Sequence, residues 1–359
     1  VENGVPYIKM YNLRNQKIDF AYHPQYITEE VHNGKLQRSR TEVGDLIMNI
    51  VGPPLGKLAI IPTTLPQANF NQAAVLIRPY KFKEVLVSYL KVYLEEMSEI
   101  NSIATRGSAG QVNISLTQSQ NMRIPIPPLN EVRRIIEEVS KYDILIDSLK
   151  QNITDIQNLI AYTKSKILDL AIHGKLVLQD PNDEPAIELL KRINPDFTPC
   201  DNGHYTQLPE GWAICKMKQI TSITNGKSQK NVETLNGIYP IYGSGGVIGR
   251  ANQYLCIAGS TIIGRKGTIN NPIFVEEHFW NVDTAFGLKA NDAILDKYLY
   301  YFCLSFDFSK LDKSTAMPSL TKTSIGNVLI PIPPYKEQER IVAKIDMVLD
   351  TMNEILRAV

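Results

Sequence analysis

Two glycine-rich stretches are the first places in this sequence where catalytic chemistry could be sought. Residues 259–266 (Gly-Ser-Thr-Ile-Ile-Gly-Arg-Lys) resemble a loop that holds a phosphate chain with backbone N–H groups and a lysine. The lysine comes one place late, however, and no Ser or Thr follows it. Residues 243–249 have the glycines of a dinucleotide loop at the wrong spacing, and a strand-like run follows where a helix should begin. Neither stretch predicts nucleotide binding.

Other catalytic patterns also fail. Pro333-Pro334-Tyr335 matches the end of an Asn/Asp-Pro-Pro-Tyr/Phe loop for transferring a methyl group to an amine, but Ile332 stands where the polar residue must hold that amine. The histidines and cysteines show no ligand spacing and no paired cysteines, which disfavours a zinc site or a disulfide framework and favours a reducing cytoplasm: His23, His32, His173, His204, His278, Cys200, Cys215, Cys256 and Cys303. The sequence therefore predicts a binding protein with no catalytic residue, metal or cofactor of its own.

The strongest pattern is a duplication. Residues 123–135 (Arg-Ile-Pro-Ile-Pro-Pro-Leu-Asn-Glu-Val-Arg-Arg-Ile) return as residues 329–341 (Leu-Ile-Pro-Ile-Pro-Pro-Tyr-Lys-Glu-Gln-Glu-Arg-Ile), an offset of 206 residues. This offset far exceeds the roughly 20–50 residues of a solenoid repeat, so it indicates two copies of a whole domain with its following helix. Two equivalent domains predict pseudo-twofold symmetry and a partner that is itself bipartite.

Each copy ends in a helix with a heptad pattern. In the first copy, residues recur at alternating steps of four and three: Ile135, Val139, Tyr142, Ile146, Leu149, Ile153, Ile156, Ile160, Thr163, Ile167 and Leu170. The second copy repeats the first five positions between residues 341 and 355. We predict an antiparallel coiled coil roughly 60 Å long that holds two globular domains apart; ordinary core helices are the alternative.

The entry to each helix is also repeated. The Ile-Pro-Ile-Pro-Pro stretch is predicted to be extended, because proline disfavours helix in the residue before it, and its last proline suits a helix start. Glu131 and Glu337 fall in the first turn and should favour the helix dipole. Gly174 predicts the end of the first helix.

The predicted fold class is α+β, with two pseudo-symmetric mixed α/β domains separated by the two-helix coiled coil. The boundaries are 1–128 for the first domain, 129–174 for its helix, 175–207 for a connector with a short helix, 208–334 for the second domain and 335–359 for a shortened second helix. The first domain is expected to lack its N-terminal segment, because only three residues precede Gly4, whereas about 25 separate the second copy's opening, residues 208–212, from the equivalent Gly237.

Charge and hydropathy narrow the function classes. No 18-residue apolar stretch exists, so no membrane-spanning helix is predicted. The net charge is +1, but residues 1–128 carry 13 basic and 10 acidic side chains and residues 208–334 carry 12 and 9. Each globular domain is therefore +3, a weak indication of an anionic partner such as DNA.

Together these motifs resemble the DNA-specificity (S) subunits of type I restriction-modification systems. The resemblance rests on the duplicated proline motif, on residues 170–177 (Leu-Ala-Ile-His-Gly-Lys-Leu-Val), on residues 208–212 (Leu-Pro-Glu-Gly-Trp) and on residues 239–249. It implies two target-recognition domains that each read half of a bipartite double-stranded DNA site, with the coiled coil as the spacer. It also implies docking of modification subunits, two in the expected complex, that bring S-adenosylmethionine, and of restriction subunits that bring ATP and Mg²⁺.

Base reading requires Arg for guanine and Asn or Gln for adenine, and phosphate contacts require Lys, Arg, Ser or backbone N–H groups. Loops hold such groups more often than the scaffold does. In the first domain the candidates are Lys35, Gln37, Arg38, Arg40, Asn69, Asn71, Gln72, Arg106, Ser108 and Gln111. In the second domain they are Ser244, Arg250, Arg265, Lys266, Thr268, Lys313, Ser314, Thr315 and Lys322. For each, the alternative is an ordinary solvated or turn residue.

Two other functions remain open from the sequence alone. One is a coiled-coil scaffold that binds proteins rather than DNA, and the other is a fragment of a methyltransferase. Binding that weakens steeply with salt would favour DNA over a scaffold. Binding of S-adenosylmethionine by the isolated chain would favour the methyltransferase.

Overall fold

The computed structural model describes residues 1–52, 54–106, 112–201, 205, 207–311 and 319–358. The chain divides into two compact units, residues 1–150 and 151–359. A single long helix, α5 (Leu129–Ile172), contains the division between them. Among the described residues, no helix combines the length and apolarity that crossing a bilayer requires.

The first unit is built on two small sheets. The strands are β1 (Val5–Ile8), β2 (Leu13–Arg14), β3 (Lys17–Ile18), β4 (Tyr26–Ile27), β5 (Arg40–Thr41), β6 (Leu46–Asn49), β7 (Leu58–Ile60), β8 (Ala68–Phe70), β9 (Ala74–Ile77), β10 (Thr105–Arg106) and β11 (Val112–Asn113). One sheet has the order β4-β1-β8-β5 and the other β7-β6-β9, while β2-β3 and β10-β11 form two-stranded ribbons. Strands β1 and β8 run parallel.

Short helices complete the first unit. They are α1 (Glu29–Asn33), α2 (Lys83–Glu95), α3 (Ser98–Ile103) and α4 (Leu116–Gln120), with 3-10 turns at Met10–Asn12 and Gln37–Ser39. Helix α2 buries Val87, Leu90 and Leu94 at helical spacing against Leu46 and Met48 of β6. The apolar face of α2 therefore covers one face of the β7-β6-β9 sheet.

The second unit repeats the plan with longer strands. They are β12 (Ala213–Lys216), β13 (Thr221–Asn225), β14 (Tyr239–Gly243), β15 (Gly246–Ala251), β16 (Ser260–Gly264), β17 (Ile273–Val275), β18 (Trp280–Asn281), β19 (Ala285–Ala290) and β20 (Leu329–Ile332). The sheets have the orders β13-β19-β16-β17, β15-β14-β18 and β12-β20. The helices are α6 (Ala186–Ile193), α7 (Met217–Ile220), α8 (Asp296–Ser305), α9 (Lys322–Gly326) and α10 (Tyr335–Ala358), and a 3-10 turn lies at Phe308–Leu311.

The sequence repeat is confirmed as a repeat of structure. Helices α5 and α10 begin 206 residues apart, and α4 and α9 each start with a reciprocal capping box. The Tyr89 hydroxyl donates to the carbonyl of Pro125 (2.7 Å), as the Tyr298 hydroxyl does to that of Pro331 (2.9 Å). Strands β14 and β18 run parallel like β1 and β8, and β16 lies between β17 and β19 as β6 lies between β7 and β9. The two units therefore share one framework.

Within the second unit, the last part of α5 packs antiparallel to α10. The Lys164 ammonium donates to the Asn353 side chain (3.2 Å). Ten residues after Lys164, Gly174 lies against Trp212. The Trp212 indole N–H donates to Glu337 in the first turn of α10 (3.0 Å). The end of α5 thus meets the beginning of α10, as predicted. Gly174 has a φ of +66°, which suits glycine at a helix C-terminus.

Only part of the apolar heptad stripe of α5 is buried. Ile160 is buried, and Ile341, Ile345 and Met352 of α10 are buried with it in the second unit. The seam positions between residues 142 and 153 are exposed instead. Sequence periodicity identifies the apolar stripe of a helix, but it does not determine how much of that stripe is covered.

Glu131 and Glu337 lie in the first turns of their helices, as predicted. Glu337 is also 1% exposed, and burial raises the pKa of its carboxyl group. The connector is part of the folded core of the second unit. Its helix α6 begins after Pro185, as predicted, but Ala186, Leu190 and Phe197 belong to the main core of the second unit.

Candidate nucleic-acid interface

Strand register gathers several loops at one end of the second unit. Asn225, the last residue of β13, pairs with Phe286, and Gly264, the last residue of β16, pairs with Ala285. The loops after β13 and β16 and the turn before β19 therefore emerge together. The β14–β15 hairpin tip joins them, because the N–H of Val282 donates to the carbonyl of Tyr242 (3.0 Å).

Arg265 stands at the centre of these loops. Its backbone N–H donates to the carbonyl of Thr284 (2.7 Å), and its carbonyl accepts from the N–H of Leu320 (2.8 Å). The guanidinium lies 5.9 Å from the centre of the Phe286 ring and forms no ion pair with another described residue. The backbone is therefore fixed while the half-buried guanidinium keeps its five donors available.

The other candidates in this loop lie close to Arg265. Lys266 and Thr268 are exposed, and Lys266 bridges to Ser319, two residues before the α9 capping residue Thr321. Lys322, the first residue of α9, is also exposed. The turn is tight, because a side-chain carbon on Gly264 would lie 1.9 Å from the carbonyl oxygen of Thr268. We call Arg265, Lys266, Thr268 and Lys322 the second-unit basic loop.

Sequence reasoning missed a second basic segment at the same end. Lys227 and Lys230 are exposed in the loop after β13. The N–H of Lys227 donates to the carbonyl of Asn281 (3.0 Å), and its carbonyl accepts from the indole of Trp280 (3.0 Å), so the loop is anchored. The available signal was the run Asn-Gly-Lys-Ser-Gln-Lys at residues 225–230, directly after a strand pattern.

The remaining candidates of the second unit lie in different places. Ser244 lies in the hairpin tip between Gly243 and Gly246, near the basic loop. Arg250 pairs opposite Pro240, away from the tip, and donates to the carbonyl of Ile238 (3.1 Å). The structure does not bring Arg250 to the loop cluster. Lys313, Ser314 and Thr315 lie outside the described residues.

In the first unit, two predicted segments come together. Strand β5 pairs with β8, which places Asn69 behind the segment of residues 35–40. The Asn69 amide donates to the carbonyl of Leu36 (2.7 Å) and to the Ser39 hydroxyl (2.9 Å), and its oxygen contacts Nδ1 of His32 (2.5 Å). Asn69 is fully buried, so it cannot contact a base in this structure. It supports the loop instead.

The supported loop presents three exposed side chains. Lys35, Gln37 and Arg38 all face solvent around the 3-10 turn. Arg40 is turned inward, because its Nε donates to the carbonyl of His32 (3.0 Å) and its guanidinium also contacts Asn33. Arg40 therefore closes the loop rather than extending from it.

The last candidates of the first unit differ in exposure. Gln72 is exposed just before β9. The neighbouring Asn71 has a buried side-chain oxygen with no hydrogen-bond donor among the described residues. Arg106 lies in strand β10, and its side chain is outside the described set, as are Ser108 and Gln111.

Several buried titratable groups have shifted pKa values. Burial raises the pKa of the thiols of Cys215 and Cys256 to about 12, so both stay protonated at neutral pH. In the part of the chain that the structure describes, no three His, Cys, Asp or Glu side chains converge as metal ligands would. Burial opposes ionisation of Asp45, but hydrogen bonds from Arg78 and Lys83 outweigh it and lower the pKa of that carboxyl group.

The family model described as "Type I restriction modification DNA specificity domain" matches twice, over residues 2–158 and 209–359. This chain belongs to that family. The two matches follow the two structural copies, and together they include α5 up to residue 158 and all of α10.

Two of the similar proteins are themselves named specificity subunits. The chain is 25% identical over 338 residues to the EcoAI type I restriction enzyme specificity subunit of Escherichia coli, covering 69% of this chain and 57% of that protein. It thus spans a little over half of that relative's length. It is 21% identical to the putative MjaX specificity subunit of Methanocaldococcus jannaschii, covering 99% of this chain and 82% of that protein.

Solved structures share the fold. The HsdS subunit of Thermoanaerobacter tengcongensis superposes with a TM-score of 0.63 at 18% identity, over 99% of this chain and 85% of its own. A chain from a study of complex assembly and conformational transition of the type I restriction-modification system gives a TM-score of 0.65 at 20% identity, over 99% and 86%.

Within this shared framework, two neighbouring equivalent positions carry different side chains in the two specificity domains. In the first unit the N–H of Ile114 donates to the carbonyl of Ile50 (2.8 Å), which corresponds to the bond from Leu320 to Arg265 in the second. The backbone contact is therefore kept, while an arginine replaces an isoleucine. Val51, which is 42% exposed, stands in the place of Lys266.

Proposed function

We propose that this chain is the DNA-recognition subunit of a type I restriction-modification complex. Each unit would read one half of a bipartite duplex site through its loops, and α5 with α10 would set the gap between the halves. Methylation, ATP-driven translocation and cleavage would belong to partner subunits that bring S-adenosylmethionine, ATP and Mg²⁺. The complex would act on DNA in the cytoplasm.

One observation carries this proposal: a shared framework holds different side chains at equivalent loop positions. Arg265 and Ile50 occupy the same backbone hydrogen bond in the two copies. Arg265 can donate two hydrogen bonds to guanine in the major groove, whereas Ile50 is buried in the core of the first unit and offers nothing to a base. The exposed Val51, in the place of Lys266, can make only apolar contacts. Two copies that differ in this way suit two unlike half-sites.

The interface proposed for the second unit is the second-unit basic loop together with Ser244, Lys227 and Lys230. For the first unit it is the exposed face formed by Lys35, Gln37 and Arg38, with Gln72. Asp283 is the exposed acid in the turn before β19 and would limit how closely phosphates approach there. The lysines would contact phosphates, and the arginines and glutamines would contact base edges.

The test is selection of binding sites from a randomised duplex library by the chain assembled with the modification subunit of its system. We expect two conserved blocks separated by a gap of fixed length. Binding should weaken by roughly 10³–10⁵-fold between 50 and 200 mM salt if six to ten phosphates are contacted. A single block, or binding that ignores salt, would instead favour a protein-binding scaffold.

The spacer role has its own test. Deleting seven residues from α5, with a matching deletion in α10, should remove two helical turns, about 10 Å, and shorten the selected gap by about three base pairs. Replacing the exposed Tyr142 and Leu149 with alanine, without changing the length of α5, is the control and should leave the gap unchanged. An unchanged gap in the helix variant would contradict the spacer role.

A further inference from the structure

A cavity of about 410 Å³ lies at the start of α10 in the second unit, remote in sequence from the proposed DNA-reading loops. Its walls come from the connector, from the Leu-Pro-Glu-Gly-Trp opening and from the proline motif. These are scaffold segments of the repeat. A water molecule occupies about 30 Å³ in the liquid, so the cavity can hold a long side chain.

The cavity walls are acidic. Asp180 and Glu210 are exposed at its rim, and Glu337 lies at its base. Asp183 also lines it but is paired with Arg340 (2.6 Å). Hydrogen bonds from Asn182 lower the pKa of Asp180, so that carboxylate is charged at neutral pH.

Glu337 carries the second, independent observation. Its side chain is 1% exposed, and one carboxylate oxygen accepts the indole N–H of Trp212 (3.0 Å). The other oxygen, Oε1, is buried and accepts no hydrogen bond within standard distance and angle limits from a described residue. The Gln179 side chain is near enough to lower the pKa of this carboxyl group, but its amide donates to the carbonyl of Gly174 (3.1 Å). A buried carboxylate oxygen without a donor is costly, so a cationic donor that entered this cavity would relieve the cost.

The geometry restricts what can bind. The described carboxylates do not converge closely enough to hold a metal ion. A nucleic-acid phosphate would be repelled. An arginine side chain fits better, because its planar guanidinium can donate to several separated oxygens and is the side chain preferred in buried ion pairs. The nearby cations are Lys336 and Arg340 on the same helix, and Arg340 pairs with Asp183. Among the described residues, neither Glu210 nor Glu337 forms an ion pair.

We propose that this cavity receives an arginine side chain of the modification subunit. The inference rests on the proposed function, since it names the chemistry by which that partner would recognise the scaffold. The cavity lies where a partner bound to the repeat, rather than to DNA, would find an anionic receptor. Occupation would complete the hydrogen bonding of Glu337.

The experiment compares association of the full chain with the modification subunit of its own system, by sedimentation and calorimetry. The chain with Asp180→Lys and Glu210→Lys should bind at least tenfold more weakly. The chain with Glu337→Gln should also bind about tenfold more weakly. Glu188→Lys, an exposed acid on α6 of the same unit, is the control for charge and should bind as the parent does.

Folding and partner identity are checked separately. Tryptophan emission and the melting temperature should match the parent for the rim variant, because both altered residues are exposed. Arginines of the modification subunit are then changed to glutamate one at a time. One of these changes should weaken binding to the parent chain and restore binding to the Asp180→Lys, Glu210→Lys chain.

The outcomes are distinguishable. Unchanged association of the rim variant, or an equal loss in the Glu188→Lys control, would overturn the inference. A rim variant that lost only self-association would also overturn it and would indicate a second copy as the occupant. Site selection by the parent chain assembled with the modification subunit reports on the proposed function independently. If it still yields two blocks while association is unaffected, the cavity proposal fails and DNA reading stands.

Discussion

Replacing Arg265 with alanine should relax the preference for one base pair in one half-site. The backbone of this residue is held by hydrogen bonds to Thr284 and Leu320 that do not involve its side chain. The loop should therefore keep its position when the guanidinium is removed. What is lost is a set of donors at the centre of the second-unit basic loop.

The magnitude follows from the contacts. The guanidinium lies 5.9 Å from the Phe286 ring centre, at the outer limit of a cation–π contact worth about 0.5 kcal/mol, so the free energy of unfolding should fall by no more than that. A bidentate contact to guanine discriminates by about 1–3 kcal/mol, which is roughly 5- to 150-fold in relative affinity. The variant should be nearly as stable as the parent and much less selective at one position.

The assay is site selection followed by competition with each single-base variant of the selected site. Arg250→Ala is the matched control, because Arg250 is an exposed arginine of the same unit that donates to the carbonyl of Ile238, away from the loops. It should leave every base preference intact. If Arg265→Ala keeps all preferences, or if Arg250→Ala loses one, the assignment of the second-unit basic loop is refuted.

Three other changes test the framework. Asn69→Ala should lower the free energy of unfolding by about 1–3 kcal/mol, because the loop loses the hydrogen bonds from the Asn69 amide to Leu36 and Ser39 and the buried His32 ring loses its partner, and should blur only the other half-site in selection. Asp45→Asn should cost about 3 kcal/mol at neutral pH in chemical denaturation. Because the pKa of Asp45 is lowered in the folded state, its contribution is complete above the unfolded value of about 3.9 and is lost as the pH falls through the folded value, so parent and variant should converge in acid. Ile345→Ala, in the buried helix contact, should cost about 2–5 kcal/mol, whereas the exposed Met347→Ala should cost about 0.5 kcal/mol or less; equal melting shifts would contradict the observed packing.

Helices were the most predictable part of this fold. Proline before Leu129 and glycine at residue 174 define the limits of α5 through backbone constraints that act locally, and the observed helix ends at Ile172. The repeat then predicted the start of α10. Which residues of the heptad stripe are buried was not predictable. The exposure of Tyr142 and Leu149 depends on neighbouring elements that the heptad spacing does not encode.

Individual site residues were less predictable than their segments. Asn69 was selected because amides read adenine, but the pairing of β5 with β8 buries it and turns its amide towards the backbone of the loop. Arg40 is held inward in the same way. Lys227 was overlooked because only the register of β13 against β19 brings its loop beside Arg265. Such outcomes depend on strand pairing across long sequence separations, which residue type alone cannot reveal.

The main-chain bonds of the loop at Arg265 have an evolutionary consequence. Because backbone N–H and carbonyl groups hold the loop, replacement of the Arg265 side chain would, under the proposed function, alter the recognised sequence without loss of folding. A lineage could thus change which genomic sites are marked in a single step. Foreign DNA that is marked only at the old sites would then be unprotected in the descendants of that lineage.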